Sequence, residues 1–354
     1  MRRRRKLILV VIVAALAVLA VESISSYVIY RNTSRLEKSF HPTGSATVAL
    51  LRLISYKFRG RKVVVWADHG PLFYPDPVRG FAVHPGHYEI NEQIDGERHR
   101  FQLTINSGGL RATSYSATQA SQHIYISGDS GIFGWGLNDE NTVPWLLQGR
   151  LPQYEVVNWS LTRYSTVHAL LQLQQARAQI GPEDIVVLTY HPIDVQTNVA
   201  QPATFRDFSE GLEAQLADGQ FISKIDYPFG AFDDQGRFVI RRIKLSCLLR
   251  DAVADCGQVN VDMKAALRVT ERALDEIIAL HVGRLLVAIV GGSESDPVIS
   301  YLRAKGVLIA DIRPAASEPE SKDEITTDTH AGPFWNHLAF MRLLSALQSN
   351  QLIH

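Results

Sequence analysis

The stretch HIYISGDSGIFGWGLNDENT, residues 123–142, begins as a β-branched, apolar strand and stops abruptly at Gly128-Asp129-Ser130. In an open parallel sheet, ligands bind outside the carboxyl ends of the strands, where helix N-termini direct free N–H groups. Ser130 falls at such a place, and Gly128 lets the backbone turn tightly behind it. A hydroxyl there faces the crevice beside donors able to stabilise an oxyanion. The tripeptide alone is also compatible with plain helix capping by Asp or Ser. The surrounding chain has to decide between the two.

Outward from this stretch, short apolar runs recur without polar alternation: HIYISG, YEVVNW, EDIVVLTY, RLLVAIVG and GVLIADI. Continuous runs of this kind suit parallel strands buried on both faces. Helical stretches such as TVHALLQLQQARAQI and KAALRVTERALDEIIALH lie between them, giving the βαβ rhythm of a doubly wound α/β sheet. This places an α/β domain at 121–354. Residues 196–260 break the rhythm with YPFGAFDDQGRFVIRRIKL, a hairpin insertion expected to fold over the crevice as a lid or partner surface. Upstream, about 62–113 is rich in Gly, Pro and short alternating runs, so 32–120 reads as a juncture followed by a small β-rich region.

The chain has 354 residues with 36 basic and 36 acidic side chains. Arg2 to Lys6 contribute five of the cations, so the remainder carries 31 against 36, about −5. Such a body does not hold nucleic acid electrostatically. After the basic flank come fifteen uninterrupted apolar residues, Leu7 to Val21, then Glu22 and a second apolar run at Tyr27 to Tyr30. Residues 1–31 therefore read as a transmembrane anchor or as a cleaved signal segment. The anchor reading gives a single-pass protein of the inner membrane, with its N-terminus in the cytoplasm and its C-terminal domain periplasmic. Both readings export everything after Arg31. The two cysteines, Cys247 and Cys256, close a short disulfide loop only if their Cα atoms approach within about 7 Å. One straight helix across the nine intervening steps would hold them about 13 Å apart. They are not a zinc site, since no second pair accompanies them.

At the other end, TTDTHAGPFWNHLAF sets Asp328 and His330 just before an amphipathic helix. A serine nucleophile needs a base, and the base needs a carboxylate to fix its tautomer. Asp328 and His330, two apart in a loop after the last strand, suit those roles; the alternative makes Asp328 a helix cap and His330 incidental. His69, His99 and His281 form no ligand cluster, and Pro85-Gly86 between His84 and His87 opposes a helical metal pair. No metal or cofactor is expected: the nucleotide-binding glycine motifs and His-Glu-x-x-His are absent. Trp135 and Trp335 fit either a sugar-binding surface or ordinary packing.

These blocks carry a family resemblance. GDSGIFGWGLNDENTVPWLLQGRL, EVVNWSLTRYST, VVLTYHPIDV and DTHAGPFWNHLAF, with YPDPVRGF and NSGGLR upstream, resemble the SGNH (GDSL-like) hydrolases of the membrane-linked bacterial branch, over about residues 73–345. The resemblance implies a five-stranded parallel sheet in flavodoxin-like order. It implies Ser130 as nucleophile, His330 as base and Asp328 as its orienting carboxylate, with esters as substrates, often O-acetyl groups on carbohydrate. The family forms its oxyanion hole from the serine N–H, a glycine N–H in the second block and an asparagine amide in the third. Here Arg163 stands at that glycine and Ile193 at the asparagine. The backbone N–H groups of Ser130 and Arg163 remain, while the amide is gone; His191, Asn158 and Asn198 are the nearby polar substitutes. Two functions follow. One is an exported, membrane-anchored serine esterase or O-acyltransferase acting on an acylated glycan or similar ester. The other is a pseudoenzyme serving as a periplasmic binding or assembly subunit among envelope-assembly proteins.

Overall fold

The computed structural model describes residues 63–354 except 69, 95–96, 117–119, 206–215, 219, 249–260, 281, 326–329 and 354. The chain divides into two units, residues 1–62 and 63–354. The expected anchor at 1–31 and the juncture that follows it lie outside the described residues. Among the described residues, no helix is long and apolar enough to cross a membrane.

The second unit begins with β-structure. Strand β1 (Val63–Ala67) is followed by a hairpin of β2 (Phe73–Asp76) and β3 (Gly80–Val83), then by β4 (Gly86–Ile94) and β5 (Glu97–Ile105). β1, β4 and β5 form an antiparallel sheet in that order. The β2–β3 turn is fixed by Asp76, whose carboxylate accepts the N–H groups of Val78 (2.9 Å) and Arg79 (2.6 Å) and pairs with the Arg79 guanidinium (3.0 Å).

The α/β part runs β6 (Gln122–Ser127), a single turn α1 (Ser130–Phe133), α2 (Val143–Arg150), β7 (Tyr154–Asn158), α3 (Thr166–Ala176), β8 (Ile185–Tyr190) and α4 (Ile193–Thr197). A hairpin of β9 (Asp226–Phe232) and β10 (Phe238–Lys244) follows, then α5 (Met263–Leu280), β11 (Arg284–Ile289), α6 (Pro297–Ala304), β12 (Leu308–Asp311) and α7 (Pro333–Ser349). The five strands lie in the order β12-β11-β8-β6-β7, all parallel. This is the doubly wound, flavodoxin-like arrangement. Alternate strand residues face two cores: Ile124, Ile126, Val156 and Val187 pack with α2 and α7, whereas Tyr125, Val186, Leu188 and Val287 pack with α3, α5 and α6. Burial on both faces is why the strand runs are uninterruptedly apolar. From β6 the chain steps outward to β7, and from β8 it steps the other way to β11. The reversal opens a crevice at the carboxyl ends of β6 and β8.

A third core joins the β-rich region to the insertion and to the loops above the sheet. Phe73, Phe81, Phe101, Trp135, Leu161, Tyr164, Phe221 and Tyr227 all belong to it. The main chain is continuous across the junction too, since Arg111 bridges both Ile105 of β5 and Asn158 of β7. Arg242 of the insertion donates to the Val78 carbonyl (2.7 Å), and the insertion's Leu216 carbonyl accepts the Leu72 N–H (2.6 Å). Cys247 is disulfide-bonded; Cys256 lies outside the described residues.

His168 of α3 is fully buried between the rings of Tyr164 and Tyr227, at centroid distances of 4.4 and 5.1 Å. Burial pushes its pKa down to about 3. The folded protein thus keeps this imidazole neutral where the unfolded chain, near pH 6.5, takes up a proton. Its contribution to stability is complete above about pH 6.5 and is lost progressively as pH falls towards 3. Urea unfolding at pH 7 and pH 4 is expected to show a drop, on the order of several kcal/mol, that His168→Phe reduces.

Candidate active site

Ser130 is the first residue of α1, directly beyond β6, so its N–H has no intrahelical acceptor. Asp129 acts as the cap: its carboxylate accepts the Gly131 N–H at 3.0 Å. Gly128 is required by close approach, because a Cβ there would lie 1.9 Å from Thr189 Oγ1 on the neighbouring strand. Thr189 is itself held, donating to the Ser127 carbonyl at 3.1 Å. Gly128→Ala is therefore expected to destabilise the fold by about 1–3 kcal/mol through overpacking. Adding Thr189→Ala should recover part of that loss in a denaturant titration. An unchanged midpoint for the double variant would show that the strain lies elsewhere.

His330 comes from the far side of the sheet on a short antiparallel pairing. Ile325 N–H donates to the His330 carbonyl (2.7 Å), Gly332 N–H donates to the Asp323 carbonyl (2.8 Å), and Glu324 is bridged to Ala331. The Asp323 carboxylate accepts the Trp335 N–H (2.9 Å), tying this pairing to the start of α7. The result places His330 Nε2 2.9 Å from Ser130 Oγ, across 200 residues of sequence. For Nε2 to accept the serine proton, the imidazole proton must reside on Nδ1. Asp328, expected to hold that nitrogen, lies outside the described residues. Pairing and nucleophile turn also touch: a Cβ on Gly136 would fall 2.3 Å from Ile325 Cδ1.

Arg163, in the loop after β7, adopts a left-handed conformation with φ of 61°, a region that favours glycine. The insertion braces it there. Tyr227 Oη donates to the Arg163 carbonyl (2.7 Å), and the Arg163 guanidinium donates to the Thr204 carbonyl (2.9 Å). The described part of the insertion thus walls the second-block loop.

Ile193 is 42% exposed at the start of α4, beyond the end of β8. Its N–H donates to His191 Nδ1 at 3.2 Å. Of the three polar substitutes, Asn198 is committed elsewhere, bonding Val167 N–H and Thr270 Oγ1. Asn158 is 1% exposed, with its amide nitrogen sealed from solvent. His191 is only partly buried, and acceptance at Nδ1 leaves the proton on Nε2, which makes that nitrogen a donor.

Two buried ionisable groups complete the surroundings. Asp194, 3% exposed, accepts the His191 N–H at 3.2 Å. Burial, reinforced by the nearby Asp129 charge, holds its carboxyl well above the usual carboxylate range. Arg111 is buried beneath the nucleophile turn, where its Nε meets Asp139 Oδ1 at 2.9 Å. Burial presses its pKa down and the Asp139 carboxylate opposes the shift. Sequence reasoning passes over both residues; for Arg111 the only signal is its place in the NSGGLR block. Trp135 is a packing residue, buried with its indole N–H 2.6 Å from Glu92 Oε1. Among the described residues, no cluster of three or more His, Cys, Asp or Glu is arranged to hold a metal ion.

No protein-family model and no curated protein matches the chain. Several solved structures show a likeness of arrangement. A member of the lipolytic G-D-S-L family from Veillonella parvula is 10% identical, with a TM-score of 0.39 over 64% of this chain and 99% of that one. A putative lipolytic protein of the G-D-S-L family from Desulfitobacterium hafniense is 13% identical, with a TM-score of 0.37 over 64% and 100%. A family two carbohydrate esterase from Clostridium thermocellum is 10% identical, with a TM-score of 0.35 over 75% and 71%.

Proposed function

We propose that this chain is an SGNH-type serine esterase or O-acyltransferase, exported and membrane-anchored through residues 1–31, acting on an acylated glycan or similar ester. The observation that carries the reading is the 2.9 Å approach of His330 Nε2 to Ser130 Oγ at the switch point of the sheet. As Ser130 Oγ attacks the ester carbonyl, its proton passes to His330 Nε2. The tetrahedral oxyanion is met by the N–H groups of Ser130 and Arg163. Collapse expels the alcohol, which takes the proton from His330 and leaves an acyl-enzyme. Water then releases the acid, or a sugar hydroxyl takes the acyl group; either is deprotonated by His330. Asp328 is assigned to the imidazole Nδ1–H by its spacing alone.

One observation favours a second reading, an SGNH-like pseudoenzyme that binds or assembles: the third-block position presents the exposed, apolar side chain of Ile193 where a donor is needed. Hydrolysis of nitrophenyl acetate by the purified 32–354 chain separates the two. Slow turnover abolished by Ser130→Ala supports the enzyme. Equal inertness of wild type, Ser130→Ala and Ile193→Asn, with retained glycan or protein binding, supports the pseudoenzyme.

A further inference from the structure

The fully buried Arg111 side chain spends most of its donors on one segment. Nη1 bonds the carbonyls of Phe133 (2.9 Å) and Gly134 (2.6 Å), and Nη2 bonds that of Leu137 (2.6 Å) and, more loosely, that of Gln102 on β5 (3.4 Å). Nε meets Asp139 Oδ1 at 2.9 Å, and the guanidinium carbon lies 5.4 Å from the centroid of the Phe133 ring. The remaining Asp139 oxygen accepts Thr104 N–H from β5 at 2.9 Å. Phe133 and Gly134 close the turn that begins at Ser130, and their carbonyls sit at its negative end, where a cation is favoured. Gly134 is left-handed (φ 83°), and a Cβ on it would approach Arg111 Nη1 to 3.0 Å and Thr142 Cγ2 to 2.4 Å. The turn is therefore shaped around the guanidinium.

The same clamp reaches the other partner. Leu137 follows Gly136, whose bare Cα receives Ile325 Cδ1, and Ile325 N–H holds the His330 carbonyl. His99 of β5 adds a second tie from the β-rich region, with Nε2 2.5 Å from the Gly136 carbonyl. We infer that Arg111 is a positioning residue that sets the Ser130–His330 separation from outside the α/β domain, by fixing the 133–137 segment against which both are seated. The β-rich region is then part of the catalytic frame rather than an appendage. This rests on the esterase reading for its kinetic consequence, though not for its structural one.

The test uses Arg111→Met with Asp139→Asn, which removes the buried cation and its counter-charge together and avoids leaving one ion unpaired. Arg111→Lys serves as a second variant that keeps the charge and loses the fork. A crystal structure of the double variant is expected to show Ser130 Oγ and His330 Nε2 beyond 3.5 Å, out of hydrogen-bond range. Fluorophosphonate labelling of Ser130 should slow roughly 10²-fold with KM for esters little changed, the cost of a misplacement of about 1 Å. Arg111→Lys should fall between wild type and the double variant. A retained separation near that of the wild type, or labelling at the wild-type rate in a folded variant, overturns the assignment. If wild type itself never labels, the esterase reading fails, and the separation measured in the variant still decides the role of Arg111.

Discussion

Ser130→Ala and His330→Ala should each lower kcat on a model ester by roughly 10³–10⁶-fold, and the double variant should be no slower than either single one. Nucleophile and base act as one unit: without the imidazole the hydroxyl keeps its proton, and without the hydroxyl the imidazole has nothing to activate. The 2.9 Å contact between them is the structural form of that dependence. KM should change little, since neither group is needed to hold the ground-state ester. Steady-state kinetics of the three variants check this, and losses that multiply in the double variant would show two independent contributions.

The second large effect runs upwards. Ile193→Asn places an amide at the end of β8, beside the crevice, where the chain now presents an exposed aliphatic side chain. One oxyanion donor is worth about 10²–10³ in kcat, so the substitution is expected to accelerate nitrophenyl acetate hydrolysis by roughly that factor. The main chain is prepared for it, because Ile193 N–H is already engaged by His191 Nδ1 and the first turn of α4 is formed. His191→Ala separates the contributions. If His191 Nε2–H is the working third donor, that variant is slow and Ile193→Asn restores it; if Ile193→Asn leaves kcat unchanged, the position does not face the oxyanion.

The parts of the site legible in the sequence are those whose chemistry is carried by side chains at strand ends. Ser130 follows an apolar run and a tight glycine, and His330 precedes an amphipathic helix, so their meeting follows from a parallel sheet with both ends on one edge. Strands were legible because burial on two faces leaves no polar alternation. Arg111 was not, because four of its partners are backbone carbonyls that leave no mark on the sequence, and an arginine in a Gly-rich stretch reads as solvated. Arg163 was legible as a departure but not as a compensated one. Its left-handed backbone costs about 1–3 kcal/mol in a non-glycine residue, and Tyr227 and Thr204, contributed by a distant insertion, hold it in place. Asp194 escaped because its depth of burial depends on how α4 packs, which the motif does not encode.

The most direct measurement is intact-mass and peptide mapping of the purified 32–354 chain after exposure to a fluorophosphonate. The account predicts a single phosphonyl adduct located on Ser130, absent from Ser130→Ala and formed far more slowly in His330→Ala. No adduct on the folded wild type, or an adduct that persists in Ser130→Ala, would contradict it.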